Sequence, residues 1–164
     1  MPIGNRPLLE YWLETLFSAG VCEVLINLHH HSEIVREFLD RPRFEGWVES
    51  VLESDLLGTA GTIRANRDYF QSSTVLLVHA DNWCQCNFSK FLSYHRQHRP
   101  KHCPITMMTF DSPTPQTCGI VETDKAGVVT TFREKVSNPQ GTTANGAVYL
   151  LEPDLLEWID RLPG

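Results

Sequence analysis

The sequence lacks an excess of positive charge, and it lacks an apolar run long enough to span a bilayer. Its 14 lysine and arginine residues face 20 acidic residues, which gives a net charge of -6, whereas nucleic-acid-binding proteins usually carry a basic stripe. The N-terminus also lacks a basic segment followed by an apolar stretch and a cleavage site. We therefore expect a soluble, cytoplasmic protein that binds neither nucleic acid nor membrane. Its length favours one domain, residues 1–164.

Cysteine pairs of the kind that bind zinc or build a disulfide framework are also lacking. The five cysteines are odd in number and irregularly spaced, which favours reduced thiols. Cys84 and Cys86 are too close for a Cys-x-x-Cys zinc motif, and no second pair follows them. The run from His29 to His31 is typical of a metal-binding tract, but adjacent side chains in a turn do not converge on one ion, so we expect a solvated loop.

Helix and strand patterns alternate along the first two thirds of the chain. Apolar residues at helical spacing predict helices at 7–19, 32–40, 58–68 and 88–98, and Ser32 is expected to cap the second of them. Short apolar runs predict strands at 21–28, 47–52, 74–80 and 105–110. This alternation predicts a three-layer α/β/α fold with a mostly parallel, Rossmann-like sheet and helices on both faces.

The pattern changes after Pro113. Strands are predicted at 119–123, 127–132 and 147–151, with a hairpin turn from Asp124 to Gly127 and a final helix at 153–159. The C-terminal part of the sheet is therefore expected to be mixed or antiparallel.

A loop of small residues and a carboxylate at the end of the next strand form the main functional pattern. The backbone N–H groups of Gly58, Thr59 and Ala60 are open to a flat or anionic ligand at the start of a helix. Asp81 follows the apolar strand at 74–80 and can hold a divalent cation. Taken singly, the loop could serve only to start its helix, and Asp81 could cap a turn. Together they predict a nucleotide and its metal.

These segments, in this order, resemble the sugar-phosphate nucleotidyltransferases, the nucleotide-diphospho-sugar transferase type of fold. Those enzymes join a sugar 1-phosphate to a nucleoside triphosphate and release pyrophosphate. The resemblance runs from the Pro-Ile-Gly-x-x-Pro-Leu-Leu start at Pro2 to the Ala-Asn-Gly-Ala-Val-Tyr segment ending at Tyr149. The start and the Leu-Gly-Thr-Ala-Gly loop are most similar to the mannose-1-phosphate guanylyltransferase branch, with its heptose and glucose relatives.

The resemblance implies a role for each matching residue. The loop residues lie against the nucleotide base, and Asp81 binds Mg²⁺ in catalysis. The sugar 1-phosphate is held by a second group, in which Glu134 binds sugar hydroxyls and the catalytic Lys135 binds the phosphate. The base-binding residues are Leu57, Gly58, Thr59 and Ala60, and the sugar-binding ones are Gly119, Glu134, Lys135, Asn145 and Gly146.

Several of these residues also have a simpler interpretation. Glu134 and Lys135 could be a solvated hairpin end, and Asn145-Gly146 could be a turn pair. Cys118 stands where the family usually has Tyr, and Val136 where it usually has Pro. The order of the four elements favours the functional interpretation.

Nucleotidyl transfer depends mainly on alignment and on neutralising charge. A sugar phosphate is already ionised, so no protein base is required. This agrees with a sequence that shows no convincing catalytic histidine.

The family's Gly-rich signature, with its Arg and Lys, precedes the segment that matches Pro2, where this sequence has Met1. The family's second metal-binding aspartate lies beyond the stretch that ends here at Gly164. We therefore expect weak or no activity from these residues. One alternative is a non-catalytic binding or regulatory module that senses nucleotide sugar and pairs with a complete homologue. Another is a metal-dependent glycosyltransferase, although that class usually has two aspartates at the strand end. Self-association of the chain is also expected, because apolar sheet surface would be exposed.

Overall fold

The computed structural model describes residues 2–70 and 72–161. The helices are α1 (Leu8–Ser18), α2 (Ser32–Leu39), α3 (Gly58–Ala65), α4 (Arg67–Phe70), α5 (Phe88–His98) and α6 (Pro153–Asp160). The strands are β1 (Pro2–Ile3), β2 (Arg6–Pro7), β3 (Val24–Leu28), β4 (Val48–Leu52), β5 (Val75–Val78), β6 (Ile105–Asp111), β7 (Gly119–Thr123), β8 (Val129–Glu134) and β9 (Thr143–Leu151).

The long strand β9 lies between β5 and β6 in a five-stranded sheet. Its residue Leu151 pairs with Val75 on one side and with Ile105 on the other. At its other end, Ala144 pairs with Ile120 of β7, which in turn pairs with β8. Strand β9 therefore connects every part of this sheet.

Helices cover both faces of this sheet. Successive side chains of a strand point to opposite faces, so one strand can pack against helices on both sides. Val75 and Leu77 of β5 pack on one face with a cluster that includes residues of α3 and α6. Leu76 and Val78 pack on the other face with residues of α1 and α5. The predicted three-layer α/β/α class is thereby confirmed.

The direction of strand pairing differs from the predicted mostly parallel sheet. Strands β3 and β4 pair in parallel, but the other described pairs are antiparallel. Strands β5 and β6 do run in the same direction, yet β9 is inserted between them and runs against both. A pattern of local alternation cannot reveal such an insertion, because β9 arrives from a distant part of the sequence.

A third apolar cluster holds β3 and β4 under the first two helices. Leu13 of α1 and Phe38 and Leu39 of α2 are buried in it, together with Phe44 from a short 3₁₀ turn. The expected Ser32 cap is wrong: the cap position is His31, whose backbone is left-handed at φ 53°, and Ser32 is already helical.

Other boundaries also shift. The helix predicted at 58–68 is divided at Asn66, whose side-chain amide donates to the Thr62 carbonyl. Strand β9 begins at Thr143, four residues before the predicted start. Across residues 2–70 and 72–161, no helix combines the length and the apolar character needed to cross a membrane.

Candidate active site

Asp81 lies in a turn directly after β5. The backbone N–H of His79 donates to the Ala147 carbonyl of β9, and the N–H of Asn82 donates to the His79 carbonyl. The indole of Trp12 in α1 holds this turn, because its Nε1 donates a 2.9 Å hydrogen bond to the Asn82 carbonyl. The Asp81 side chain is exposed and forms no hydrogen bond or ion pair in the described part of the chain. Its carboxylate is therefore not used to cap the turn.

Asn145 and Gly146 lie in a bulge of β9 next to Asp81's turn. Opposite Met107 and Thr109 of β6, the pairing shifts from Tyr149 to Asn145, so β9 carries extra residues there. Ala147, in this bulge, has a left-handed φ of 54°. The turn-pair interpretation of Asn145-Gly146 is thus wrong, because both residues belong to a strand. Such bulges are common next to active sites, where they redirect side chains.

The Asn145 side chain is held at both ends of its amide. Its Oδ1 accepts from the Ala147 backbone N–H at 2.9 Å, and its Nδ2 donates to the Tyr149 hydroxyl at 2.6 Å. Two fixed hydrogen bonds leave the amide a single orientation. Tyr149 is a supporting residue that sequence analysis missed, although it lies four positions after Asn145 on the same strand.

Gly119 begins β7 and pairs with Glu134 at the end of β8. A Cβ at Gly119 would lie 2.7 Å from Cζ of Phe132 and 2.8 Å from Oε2 of Glu134. The space in front of Gly119 is therefore filled by this chain's own side chains, where the resemblance implies a packed hexose. Sequence analysis missed Phe132, which the period of two along β8 places on the same face as Glu134.

Lys135 follows Glu134 with a left-handed backbone, at φ 48°. Its N–H donates to the Cys118 carbonyl at 3.2 Å, so the strained residue is tied to the start of β7. Its Nζ lies 3.9 Å from Oε1 of Glu134, and both side chains are mostly exposed. Because exposed ion pairs are weak, the ammonium group can exchange this partner for a phosphate. A non-glycine residue in this backbone region is a feature of functional sites.

Cys118 precedes Gly119 and carries a perturbed thiol. Hydrogen bonds with the hydroxyls of Ser112 and Thr117 lower its pKa. Sulfur-to-oxygen distances are 3.4 and 3.6 Å. The resemblance implies a tyrosine ring at this position, so the smaller cysteine leaves more room here.

The loop before α3 presents an open helix start. Gly58 has a left-handed φ of 70°, and no side chain caps the helix at Leu57. Residues 57–60 are all exposed, which leaves backbone N–H groups for a ligand. A Cβ at Gly61 would lie 2.7 Å from Cβ of Leu57, so the glycine allows the loop to fold back on the helix.

Glu53, between β4 and this loop, is a second residue that sequence analysis missed. It is 6% exposed, its backbone bonds join Leu28 and His29, and its Oε1 is buried without a hydrogen-bond partner in the described chain. Burying an unpaired carboxylate oxygen is costly. An internal water or a ligand can supply the missing donor. A carboxylate directly before a glycine loop is the sequence signal that could have revealed it.

Contacts thus unite Asp81's turn, the β9 bulge, the start of β7 and the end of β8 at one end of the sheet. The segment 57–60 makes no hydrogen bond to Asp81 or Lys135 within the described residues. Among residues 2–70 and 72–161, no three His, Cys, Asp or Glu side chains are grouped closely enough to hold a metal ion. Asp81 alone still fits Mg²⁺, which proteins often bind through one or two carboxylates together with substrate phosphates.

Comparison with known proteins gives one consistent result. The family model described as nucleotidyl transferase matches residues 1–162. The mannose-1-phosphate guanyltransferase of Saccharomyces cerevisiae is 26% identical over 98% of this chain and 45% of its own length. The enzyme of the same name from Schizosaccharomyces pombe is 25% identical, with the same coverage. This chain therefore spans less than half of the length of these relatives.

Solved structures share the fold. HddC from Yersinia pseudotuberculosis superposes with a TM-score of 0.80 at 21% identity, over 100% of this chain and 69% of its own. The same protein complexed with GMP-PN gives a TM-score of 0.79. An apo UDP-glucose pyrophosphorylase gives 0.78 at 16% identity, over 100% of this chain and 72% of its own.

Proposed function

The chain belongs to the nucleotidyl transferase family, and on this premise we propose that it transfers a nucleoside monophosphate from GTP to a sugar 1-phosphate. The sugar would be of the mannose, heptose or glucose type, and pyrophosphate would be released. The names of the relatives from both yeasts support this choice.

The observation that carries the proposal is the convergence of four separate segments at one end of the sheet. Asp81, Asn145, Gly119 and Lys135 come from sequence positions far apart, yet backbone hydrogen bonds and strand pairs link their segments. Strained residues are found in two of these segments, at Ala147 and Lys135. Strain that recurs where candidate ligand groups meet supports a binding role over a purely structural one.

Asp81 would provide the protein ligand for Mg²⁺. The metal, when bound, neutralises phosphate charge and acts as a Lewis acid. The role of the chain is to present this carboxylate to solvent, unpaired among residues 2–70 and 72–161, and the Trp12 bond to the Asn82 carbonyl keeps the turn in place. A fixed turn lowers the entropic cost of forming the complex.

The sugar 1-phosphate would lie between β7, β8 and the β9 bulge. Lys135 would exchange its weak contact with Glu134 for the sugar phosphate, which holds the attacking oxygen toward the α-phosphate. Glu134 and the fixed amide of Asn145 would accept and donate hydrogen bonds to sugar hydroxyls. Phe132 would have to turn away from Gly119 for a sugar ring to occupy that space.

Glu53 favours guanine among the bases. A carboxylate only accepts hydrogen bonds, and guanine presents two neighbouring donors, N1–H and the N2 amino group. Uracil and adenine offer no such adjacent donor pair. The open N–H groups of 57–60 would lie against the same base. The GMP-PN complex of HddC is consistent with this preference.

Pyrophosphate release from GTP and mannose 1-phosphate with Mg²⁺ tests the proposal. We expect release only when both substrates and the metal are present. Asp81→Asn and Lys135→Ala should each lower the rate by about tenfold or more, because each removes a charge that neutralises phosphate. Lys125→Ala, an exposed lysine in the hairpin turn, is the matched control and should have no effect.

Calorimetry with GDP-mannose separates the possible outcomes. Binding without turnover would favour the alternative of a non-catalytic nucleotide-sugar-binding module. Absence of both binding and turnover would contradict the proposal. For base identity, Glu53→Gln should reduce the preference for GTP over UTP by about tenfold, since weakening hydrogen bonds to a charged carboxylate costs about 1.4 kcal/mol or more.

A further inference from the structure

Two cysteines of the loop that follows Asp81 and one methionine of β6 pack against the same apolar cluster. Cys84 and Cys86 belong to the loop between β5 and α5, and each thiol influences the pKa of the other. Sγ of Cys84 also lies 3.4 Å from Sδ of Met108 on β6. We refer to these three residues as the sulfur cluster. The spacing of the two cysteines does not predict a metal site, because Met108 comes close to them only in the folded chain.

The surroundings of the sulfur cluster are apolar. All three residues pack against a buried group that includes Trp12, Phe88 and other residues of α1 and β9. Burial raises the pKa of the Cys84 thiol, and burial together with the neighbouring Cys84 raises the pKa of Cys86 to about 11. Two thiols and a thioether in apolar surroundings favour a soft metal ion over Zn²⁺ or Mg²⁺.

The geometry suits one small ion. Three sulfurs at about 2.3 Å from a common centre are about 4 Å apart in a trigonal arrangement, and the Cys84-to-Met108 distance of 3.4 Å is close to this. An entry path also exists, since Cys86 lines a cleft of about 400 Å³ beside Tyr11 and Thr15 of α1.

We propose that Cys84, Cys86 and Met108 form a binding site for one Cu(I) ion. Each thiol loses its proton to solvent and forms a copper–thiolate bond, while the Met108 thioether adds a third, neutral ligand. No electron is transferred, so the copper stays Cu(I) and two protons are released per ion. This site is separate from the proposed nucleotidyl transfer and does not depend on it.

Anaerobic titration of the full chain with Cu(I) under ascorbate, in competition with bathocuproine disulfonate, tests this site. We expect one tightly held Cu(I) per chain and a thiolate-to-copper absorption band in the ultraviolet. Because two thiol protons are displaced at neutral pH, the apparent Kd should fall about 100-fold per pH unit. A Kd that does not change with pH would overturn the proposal.

Variants assign the ligands. Cys84→Ser and Cys86→Ser should each weaken binding by at least about 100-fold, and Met108→Leu, which keeps the volume, by about tenfold. Cys103→Ser removes another partly buried free thiol and should leave the affinity unchanged. Equal loss in Cys103→Ser, or full affinity in Met108→Leu, would overturn the three-sulfur site. Far-ultraviolet circular dichroism and the Tm of each variant distinguish lost ligands from lost fold.

Discussion

The Nε1 of Trp12 donates a 2.9 Å hydrogen bond to the backbone carbonyl of Asn82, 70 residues further along the chain. This bond joins the buried face of α1 to the turn that presents Asp81. The turn that is proposed to bind the metal is therefore supported by the first helix and not only by its own strand.

Replacing Trp12 should remove the support that α1 gives to the Asp81 turn. Trp12→Phe removes the donor and should weaken Mg²⁺-dependent GTP binding by about tenfold, because the Asp81 turn loses a hydrogen bond of about 1 kcal/mol and gains freedom. The measurement is calorimetric GTP affinity with Mg²⁺ and with EDTA.

Trp47 provides the matched control for this variant. Its Nε1 donates to the Val21 carbonyl at the same 2.9 Å, outside the candidate site. Trp47→Phe should lower stability without changing the Mg²⁺-dependent part of the GTP affinity. An equal loss of Mg²⁺ dependence in both variants would show that Trp12 acts through general stability.

Ala147 should be improved by glycine. A left-handed backbone destabilises an L residue by about 1–2 kcal/mol, and glycine removes this strain. Glycine also loses more conformational entropy on folding, which offsets about 0.5–1 kcal/mol of the improvement. Ala147→Gly, at φ 54°, is therefore expected to raise the free energy of unfolding by up to about 1 kcal/mol. Urea unfolding measures the change.

Ala144 on the same strand serves as its comparison. It is 0% exposed and has no positive φ, so Ala144→Gly should lower stability. If Ala147→Gly is as destabilising as Ala144→Gly, then the bulge carries no strain that glycine can relieve.

Gly119→Ala should affect sugar binding more than stability. The added Cβ would collide with the ends of Phe132 and Glu134, which can move, so the loss of stability should stay below about 1 kcal/mol. Displacing Glu134 should nevertheless weaken mannose 1-phosphate binding by about tenfold, by the loss of a hydrogen bond to the sugar.

A Phe132→Leu variant separates the ring from the carboxylate. It removes the ring that fills the space in front of Gly119 and leaves Glu134 in place, so mannose 1-phosphate should bind equally well or up to about threefold more tightly. A larger loss in Phe132→Leu than in Gly119→Ala would contradict the role given to Glu134.

Glu152 should make stability depend on acid pH. Its pKa is lowered from 4.5, first by the hydrogen bond from His95 and then by the charge of Arg99. Because a carboxylate only accepts, Nε2 of buried His95 donates to it at 2.7 Å. The stabilisation is fully present above pH 4.5 and is lost as the pH falls through the lowered value.

Glu152→Gln should therefore unfold more easily at pH 7, by about 1–3 kcal/mol, and should show a flatter decline of stability below pH 4.5. Thermal unfolding from pH 3 to 7 records both effects. Glu157→Gln, which removes only the exposed partner of Arg161, should follow the unmodified chain at every pH. A Glu152→Gln profile parallel to that of the unmodified chain would refute the linkage.

The sequence by itself determined the α/β class, most helices and strands to within a few residues, and the family. These features depend on local periodicity and on short motifs, and both can be recognised in the linear sequence without knowledge of the fold. The loop at 57–60 and Asp81 are examples, since each lies where a strand pattern ends. All five cysteines are free thiols, as their odd count predicts.

Only the tertiary structure decided how distant segments meet. The insertion of β9 between β5 and β6, the placement of Phe132 over Gly119, and the approach of Met108 to Cys84 each join residues whose separation carries no local signal. The unpaired oxygen of Glu53 likewise depends on what surrounds it. Strand order and side-chain burial are set by long-range packing, and local pattern does not encode them.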